Sequence, residues 1–494
     1  MTHQLSKSTF MRGVKCEKNL YLNKHHKELR DDISEQQQAI FSQGTKVGEL
    51  AQELFPGGID LTPESFYDFE ASIIKTRQAI ADGEAVIYEA AFLFDGVLAA
   101  MDILVKSDNG YKAYEVKSST QVHEQYIQDV ALQAYVIESC NVILEDVSVV
   151  HINNQYVKNG PLDIHELFTI VSIKEDIRNF KVAVPNLIAR FKNVLKSNEI
   201  PKVPIGKHCN SPYSCDFLGH CWKNVPDYSV FNLTRLKMEK ALTLYEEGIV
   251  EVVDVPDAFA LSENQRIQVE AEKNKSEFID NVKIKSFLED LNYPLYHLDF
   301  ETMAHAVPIF DGSRPYQQIV FQYSLHVQDS PHAQPEHFEF LAETNGEDPR
   351  IKFVDHLIQD LGSTGDILVY NISFERGKLE DLAGLFPSKA DAIHAIINRL
   401  VDLMIPFQKK WYYSYKMKGS YSIKKVLPAL VPEFEDGYSS MTISDGGTAS
   451  LVYAQMTDGT FDDDVEAARK DLLAYCALDT LAMVKILERL YGVV

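Results

Sequence analysis

Asp299 and Glu301 stand two residues apart in YHLDFET, a spacing that puts both carboxylates on one face of a strand. Far downstream, Tyr475 and Asp479 stand four apart in LLAYCALDTLAM, which places a phenol and a carboxylate on one face of a helix. Metal-assisted phosphodiester hydrolysis needs several carboxylates around two cations about 3.5–4 Å apart, one activating a water and the other stabilising the leaving oxygen. A second acidic group lies in the first half of the chain, where Asp102 precedes Glu115-Val116-Lys117. Strand alternation turns Glu115 and Lys117 to one face, although Glu-x-Lys alone also describes a solvent-facing ion pair. A third group is made of thiols. Cys209, Cys215 and Cys221 are evenly spaced in HCNSPYSCDFLGHCW, and Cys16 sits far upstream in VKCEKNLYL. Four thiolates suit a 4Fe–4S cluster, or Zn2+ with His208 or His220 as substitutes; three ordinary reduced cysteines near a domain end are the plain alternative. Cys140 and Cys476 have apolar helical neighbours and read as core packing.

The elements that must position these residues follow from hydrophobic period and turn chemistry. Residues 36–55 and 66–82 read as helices. From 86 to 118 the pattern becomes three short apolar strands, with Asp108-Asn109-Gly110 as the tight turn of a hairpin joining the last two. Asp102 then lies on one hairpin strand and Glu115 and Lys117 on the other. Residues 123–139 return to helical spacing, VSVVHI is a buried strand, and a helix near 172–197 leads into the cysteine segment 201–222. Residues 223–290 read as a charged helical connector. Strands resume at YPLYHLDFET, IVFQYSLHV, HFEFL and DILVYNI, with helices near 375–385, 390–400 and 464–490. The expectation is an α/β protein in three parts: 1–222, a connector 223–290, and 291–494.

An acidic strand pair followed by a late Tyr-x-x-x-Asp helix resembles the DEDDy branch of the DnaQ-like 3′–5′ exonucleases, over about 290–494. The resemblance implies an RNase H-like domain in which Asp299, Glu301, Glu375 and Asp479 bind Mg2+ or Mn2+ and Tyr475 positions or deprotonates the attacking water. The family's middle motif reads VYNISFERGKLEDL here, which puts Glu375 where the family has aspartate. Asp402 in LVDLM either supports that site or ends a helix. The text GSYSIKKVLPAL and ISDGGTASLVY also resembles an uncharacterised bacterial family that joins such a domain to a nuclease-like N-terminus.

The N-terminal part, about 8–222, resembles the PD-(D/E)xK nucleases of the RecB type, with a restriction-endonuclease-like fold. There Asp102 and Glu115 would hold the metal and Lys117 would orient water. Asp129, Gln133 and Tyr135 in QDVALQAYVI resemble the Gln/Tyr helix of that family. Glu49 is a further candidate ligand and Glu89 a weaker one. One early cysteine and three late ones resemble the iron–sulfur members, which implies a 4Fe–4S cluster on Cys16, Cys209, Cys215 and Cys221 in a structural role, with Zn2+ as the alternative.

Composition bounds these readings. A net charge of −24 argues against a general nucleic-acid coat protein but not against a nuclease, whose sites are carboxylates. One local basic track exists at 409–425, KKWYYSYKMKGSYSIKK. Its lysines Lys409, Lys410, Lys416, Lys418, Lys424 and Lys425 suit phosphates, and Trp411 and Tyr412 suit stacking on unpaired bases. A solvated loop whose aromatics partly pack into the core is the equal alternative. No run reaches the length of a membrane span and the first residues lack an apolar leader core, so a cytoplasmic protein is expected. The combined expectation is a metal-dependent nuclease acting on DNA in preference to RNA, in repair, recombination or defence. An RNA-processing nuclease, or a nucleic-acid-binding scaffold with one inactive site, are the alternatives.

Overall fold

The computed structural model describes residues 4–65 and 69–494. The chain is α/β and divides into two compact units. The first comprises Met1–Asn224 and His305–Tyr316, and the second Val225–Ala304 and Gln317–Val494. No helix among the described residues is long and apolar enough to cross a membrane.

The first unit is built on a seven-stranded sheet of β1 (Leu5–Ser6), β2 (Ile59–Asp60), β3 (Val86–Phe94), β4 (Val97–Ser107), β5 (Gly110–Lys117), β6 (Leu144–Ile152) and β7 (Phe168–Ser172). The order is β2-β3-β4-β5-β6-β7, with β1 beside the start of β4. β3, β4 and β5 are antiparallel neighbours, whereas β5 and β6 run parallel across the helix Glu124–Ser139. The expected hairpin forms, with Ser107 opposite Gly110. Glycine is required there, because a Cβ at 110 would lie 2.3 Å from the Ile143 carbonyl oxygen. One sheet face packs the helices Glu124–Ser139 and Ile177–Lys196 through residues such as Val130, Ile137, Ile188 and Phe191. A second cluster joins Val47 and Ala51 of the helix Glu35–Gln52 to Ile103, Val150 and Ile152, and takes in Ala306, Val307 and Tyr316.

The excursion 305–316 is bound tightly within this unit. Lys158 and Ser313 share a backbone bond, as do Gly312 and Lys158, the Lys158 ammonium meets Asp311 at 2.7 Å, and the Tyr316 hydroxyl donates to the Ser118 carbonyl. Tyr316 itself has φ +61°, a left-handed conformation that a tyrosine adopts only when its surroundings impose it.

In the second unit, β9 (Leu295–Met303), β10 (Ile319–Gln328), β11 (Glu336–Leu341), β12 (Ile367–Val369) and β13 (Leu400–Asp402) form a sheet in the order β11-β10-β9-β12-β13. The pairs β11–β10 and β10–β9 are antiparallel; β9–β12 and β12–β13 are parallel. Alternation along β9 decides the layout. Leu298 and Phe300 join a core with Phe353, Leu357, Leu379 and Ile393 from the helices Arg350–Asp360, Ile372–Leu385 and Ala390–Ile397. Asp299 and Glu301 therefore face the other side, where the helices Gly446–Asp458 and Val465–Tyr491 pack. A β-bulge at Phe321 interrupts the β9–β10 register next to Glu301, and the Phe321 ring stacks on Tyr453 with centroids 3.8 Å apart.

Residues 223–290, expected as a connector, are assigned almost wholly to the second unit. They hold a core of their own, with Val230, Leu233, Leu244, Val252 and Val269. Their strand β8 (Glu277–Ile279) pairs antiparallel with β14 (Tyr412–Ser414).

Candidate functional site

The second unit brings the expected carboxylates together. Asp299 and Glu301 leave β9 side by side, and one oxygen of each lies within 4.8 Å of the other and of the Cys476 sulfur. Glu375 sits in the first turn of the helix Ile372–Leu385 with 1% of its surface exposed, and its Oε2 has no hydrogen-bond partner. Asp402 ends β13 and does not end a helix; its Oδ1 accepts from the backbone N–H of Asn371 at 3.2 Å and of Met404 at 2.9 Å, so it pins the start of the helix that carries Glu375. Asp479 is buried on the helix Val465–Tyr491 and accepts from the Tyr438 hydroxyl at 2.6 Å and from that of Tyr475 one turn earlier.

Electrostatics ties these groups to one another. Burial, then the charge of Asp479, holds the Asp299 carboxyl well above the usual carboxylate range. Burial and then Asp299 do the same for Glu301, and burial, Asp299 and Asp402 for Glu375. Asp479 is pushed up to about 6, chiefly by burial, while its hydrogen bonds and Lys424 pull the other way. Lys424, read from sequence as part of the basic track, is thus the cation that offsets this acidic group. Its ammonium donates to the Ser444 carbonyl at 2.6 Å and lies 5.1 Å from the Tyr475 ring and 5.3 Å from that of Tyr438. Tyr475 is raised far above an ordinary phenol by burial and the surrounding carboxylates, so it remains a hydrogen-bond donor. Burial and the same acids raise the Cys476 thiol, which stays protonated; it is a neighbour of the acids. Three buried carboxylates and the half-buried Asp299, offset by one ammonium beside Asp299, Glu301 and Asp479, with an acceptor oxygen of Glu375 left over, are a donor set suited to hard divalent cations.

The first unit gathers a second group. Glu115 is 1% exposed and both its oxygens are engaged: Oε1 accepts from Lys117 at 2.5 Å and from Lys7 at 2.8 Å, and Oε2 accepts from Gln133 at 2.8 Å. Lys117 also meets Asp129 at 3.0 Å, and Asp102 accepts from the Val116 N–H at 2.6 Å where the β4–β5 ladder has ended. Burial would raise Glu115, but Lys117 and Lys7 overcome it and bring it down to about 2. Asp102 moves the other way, to about 6, through burial and the Glu115 charge.

Two of these partners differ from the sequence expectation. Glu49 is exposed on its helix, and the further acid beside Asp102 is Glu89, pushed up to about 8 by burial and then by Asp102. Glu89 has φ +52° in the middle of β3, where the register runs Tyr88 to Ile103 and Ala90 to Met101. Strand alternation does not anticipate that conformation. Lys7 was missed because 108 residues separate it from Glu115.

Cys16, Cys209, Cys215 and Cys221 line one pocket. Asn19 donates to the Cys215 sulfur at 3.0 Å. Thiolates are the common ligands of structural zinc and of iron–sulfur clusters, and the four cysteines share this pocket.

The basic track divides. Lys409, Lys416, Lys418 and Lys425 are exposed, and Trp411 is half-buried. Tyr412, on β14, is fully buried, which removes it as a stacking platform, and Lys410 is buried with its ammonium 3.8 Å from the Tyr413 ring centroid. Burial lowers the Lys410 pKa to about 8. The packing of β14 on β8 buries these side chains, a contact between segments some 130 positions apart.

Comparison with known proteins gives a partial match. Residues 296–422 match the family model described as a domain of unknown function (DUF2779), a span that holds Asp299, Glu301, Glu375 and Asp402 but not Asp479. The chain is similar to the "Uncharacterized protein MG366 homolog" of Mycoplasma pneumoniae, 31% identical over 220 residues, or 41% of this chain and 33% of the relative. It is similar also to "Uncharacterized protein MG366" of Mycoplasma genitalium (26% over 233 residues, 44% of this chain and 35% of the relative) and to "Uncharacterized protein UU173" of Ureaplasma parvum (27% over 217 residues, 38% and 30%). The chain spans about a third of the length of each of these curated relatives.

Proposed function

We propose that this chain is a metal-dependent nuclease with a DnaQ-like 3′–5′ exonuclease site in its second unit and a RecB-like site in its first, acting on DNA. The observation that carries the reading is the electrostatic linkage of Asp299, Glu301, Glu375 and Asp479, acids from three separate stretches of sequence, in one group with Lys424 as the offsetting cation. The sheet order β11-β10-β9-β12-β13, with the first acids on its central strand, supports an RNase H-like domain. Glu375 in place of aspartate reaches the group, because its carboxylate feels the charge of Asp299. In the first unit, three antiparallel strands, a helix and a parallel strand, with Asp102, Glu115 and Lys117 on the strands and Gln133 on the helix, support a PD-(D/E)xK domain.

Asp299, Glu301, Glu375 and Asp479 would hold Mg2+ or Mn2+, which would supply an activated water and charge neutralisation at the leaving oxygen. Around them, the Tyr475 and Tyr438 phenols hold Asp479 in place, and Tyr475 would position or deprotonate the attacking water. The cysteine set, four thiols lining one pocket, is suited to a 4Fe–4S cluster, with Zn2+ as the alternative. The exposed lysines Lys409, Lys416, Lys418 and Lys425 supply phosphate contacts.

End-labelled single-stranded DNA and RNA, incubated side by side with the protein in Mn2+, test this. Degradation of DNA that is lost in EDTA and reduced by Asp299→Ala is the expected result. Faster loss of RNA would turn the reading to RNA processing. Tight binding without cleavage would turn it to a scaffold.

A further inference from the structure

We propose that Lys7 is a positioning residue of the first unit's acidic site, and that the four-cysteine site governs it through the helix Lys7–Lys15. The inference rests on the reading of that acidic site as a nuclease centre.

The geometry runs along one short helix. Ser6 ends β1 and caps the helix, its hydroxyl and backbone paired reciprocally with Thr9. Lys7 is therefore held in the first turn, and its ammonium reaches Glu115 at 2.8 Å and Asp129 at 3.9 Å. Burial opposes a charged Lys7, yet Asp129 and Glu115 outweigh it and keep the ammonium protonated. Without Lys7, the carboxylates of Glu89, Asp102, Glu115 and Asp129 would share one ammonium, that of Lys117.

The other end of the helix is fastened to the cysteine segment. Arg12 bonds Asp216 at 2.7 Å and Asn19 at 3.0 Å, and Asn19 bonds both Asp216 and the Cys215 sulfur. Lys15 donates to the Tyr213 carbonyl and lies 4.0 Å over the Tyr213 ring. The helix ends at Cys16, whose thiol lines the pocket of Cys209, Cys215 and Cys221. In its middle, Phe10 is fully buried against Phe191, and a Cβ at Gly13 would lie 2.8 Å from that ring, so the helix has little room to slide independently. Nine residues span about 13 Å of rigid rod. Whatever group the four thiolates hold therefore sets where Lys7 stands, and its loss displaces the ammonium from Glu115.

The full-length protein carrying Asp299→Ala, which silences the second unit, isolates the first site. In that background Lys7→Ala should lower Mn2+-dependent cleavage of labelled single-stranded DNA roughly 10–100-fold, mostly in kcat, and tighten Mn2+ binding in a direct titration, because Glu115 loses an ammonium that competes with the cation. Lys7→Arg should reverse part of both. Cys16→Ala should cost a similar factor, and the double variant should be no worse than the weaker single one, since both act on the same contact. Amide hydrogen exchange over residues 9–16 should quicken in Cys16→Ala while β4 and β5 stay protected. Arg12→Ala, which keeps every cysteine, should show the same quickening in milder form. Full cleavage by Lys7→Ala where Lys117→Ala is inactive would overturn the inference and leave the nuclease reading standing. Multiplying effects of Lys7→Ala and Cys16→Ala, or unchanged exchange in both Cys16→Ala and Arg12→Ala, would also overturn it. If Lys117→Ala itself cleaves at the parent rate, the nuclease reading of this site fails, and the inference with it.

Discussion

The two acidic sites solve the problem of buried carboxylates in opposite ways. In the first unit Glu115 is held by two ammonium groups and an amide, and its pKa falls to about 2. In the second unit Asp299, Glu301 and Glu375 rise well above the ordinary range and Asp479 reaches about 6, against a single lysine. The first site sets two ammonium groups against its carboxylates, whereas the second sets one. Net charge does not reveal this. A formal charge of −24 covers both sites, and only the placement of Lys7, Lys117 and Lys424 separates them.

The largest effects should come from cleavage itself. Asp299→Ala and Lys117→Ala should each remove about 100-fold or more of the activity of its own site, and the double variant should be inactive on labelled DNA. If either single variant removes all cleavage, the two sites are not independent. Equal activity in every variant would end the comparison.

Stability against pH should divide the units next. For raised carboxylates the folded state binds protons more tightly than the unfolded state, so their stabilising effect is complete below the unfolded pKa near 4 and is lost as pH rises through about 6. In EDTA the second unit should therefore melt at lower temperature at pH 8 than at pH 5, and Mn2+ should restore it at pH 8. Glu115 alone has the reverse sign: its contribution is present above pH 4.5 and fades as pH falls toward 2, whereas Glu89 and Asp102 beside it share the sign of the second unit. Calorimetry at pH 3, 5 and 8, with and without Mn2+, separates the two: only the first unit should lose stability between pH 5 and 3. Asp479→Asn sharpens it further, because it keeps an acceptor for Tyr438 but removes the charge. It should stabilise the metal-free protein at pH 8 by about 3 kcal/mol and reduce the gain from Mn2+.

The smallest effects belong to the basic track. Single alanine substitutions at Lys416, Lys418 or Lys425 should each weaken single-strand binding modestly and reduce the salt slope by about 0.7. Lys410→Met should leave binding unchanged and alter stability by no more than about 1 kcal/mol, since Lys410 is buried and its pKa is already reduced to about 8. A salt slope that responds to Lys410 would contradict the division of this segment.

Local spacing made the strand-borne acids legible. Asp-x-Glu on β9 and Glu-x-Lys on β5 follow the two-residue period, and Tyr475 with Asp479 the helical one. What sequence could not supply came from distant chain meetings. Lys7 finds Glu115, Tyr438 finds Asp479, and β14 finds β8, none of them bound by a local period. Glu89 ranked below Glu49 in sequence because its left-handed backbone breaks the alternation that would have favoured it. The stretch 223–290 looked like a connector because charged residues are dense along it, although its apolar residues meet in one cluster.

The excursion 305–316 has a practical consequence for anyone who would divide this protein. The polypeptide leaves β9 only two positions after Glu301 and supplies Ala306, Val307 and Tyr316 to the apolar cluster of the first unit before returning as β10. A gene cut after codon 224 would yield a first half with that patch uncovered and the Ser118 carbonyl stripped of its phenol. Such a fragment should aggregate, and a peptide spanning 305–316 supplied in trans should improve its solubility.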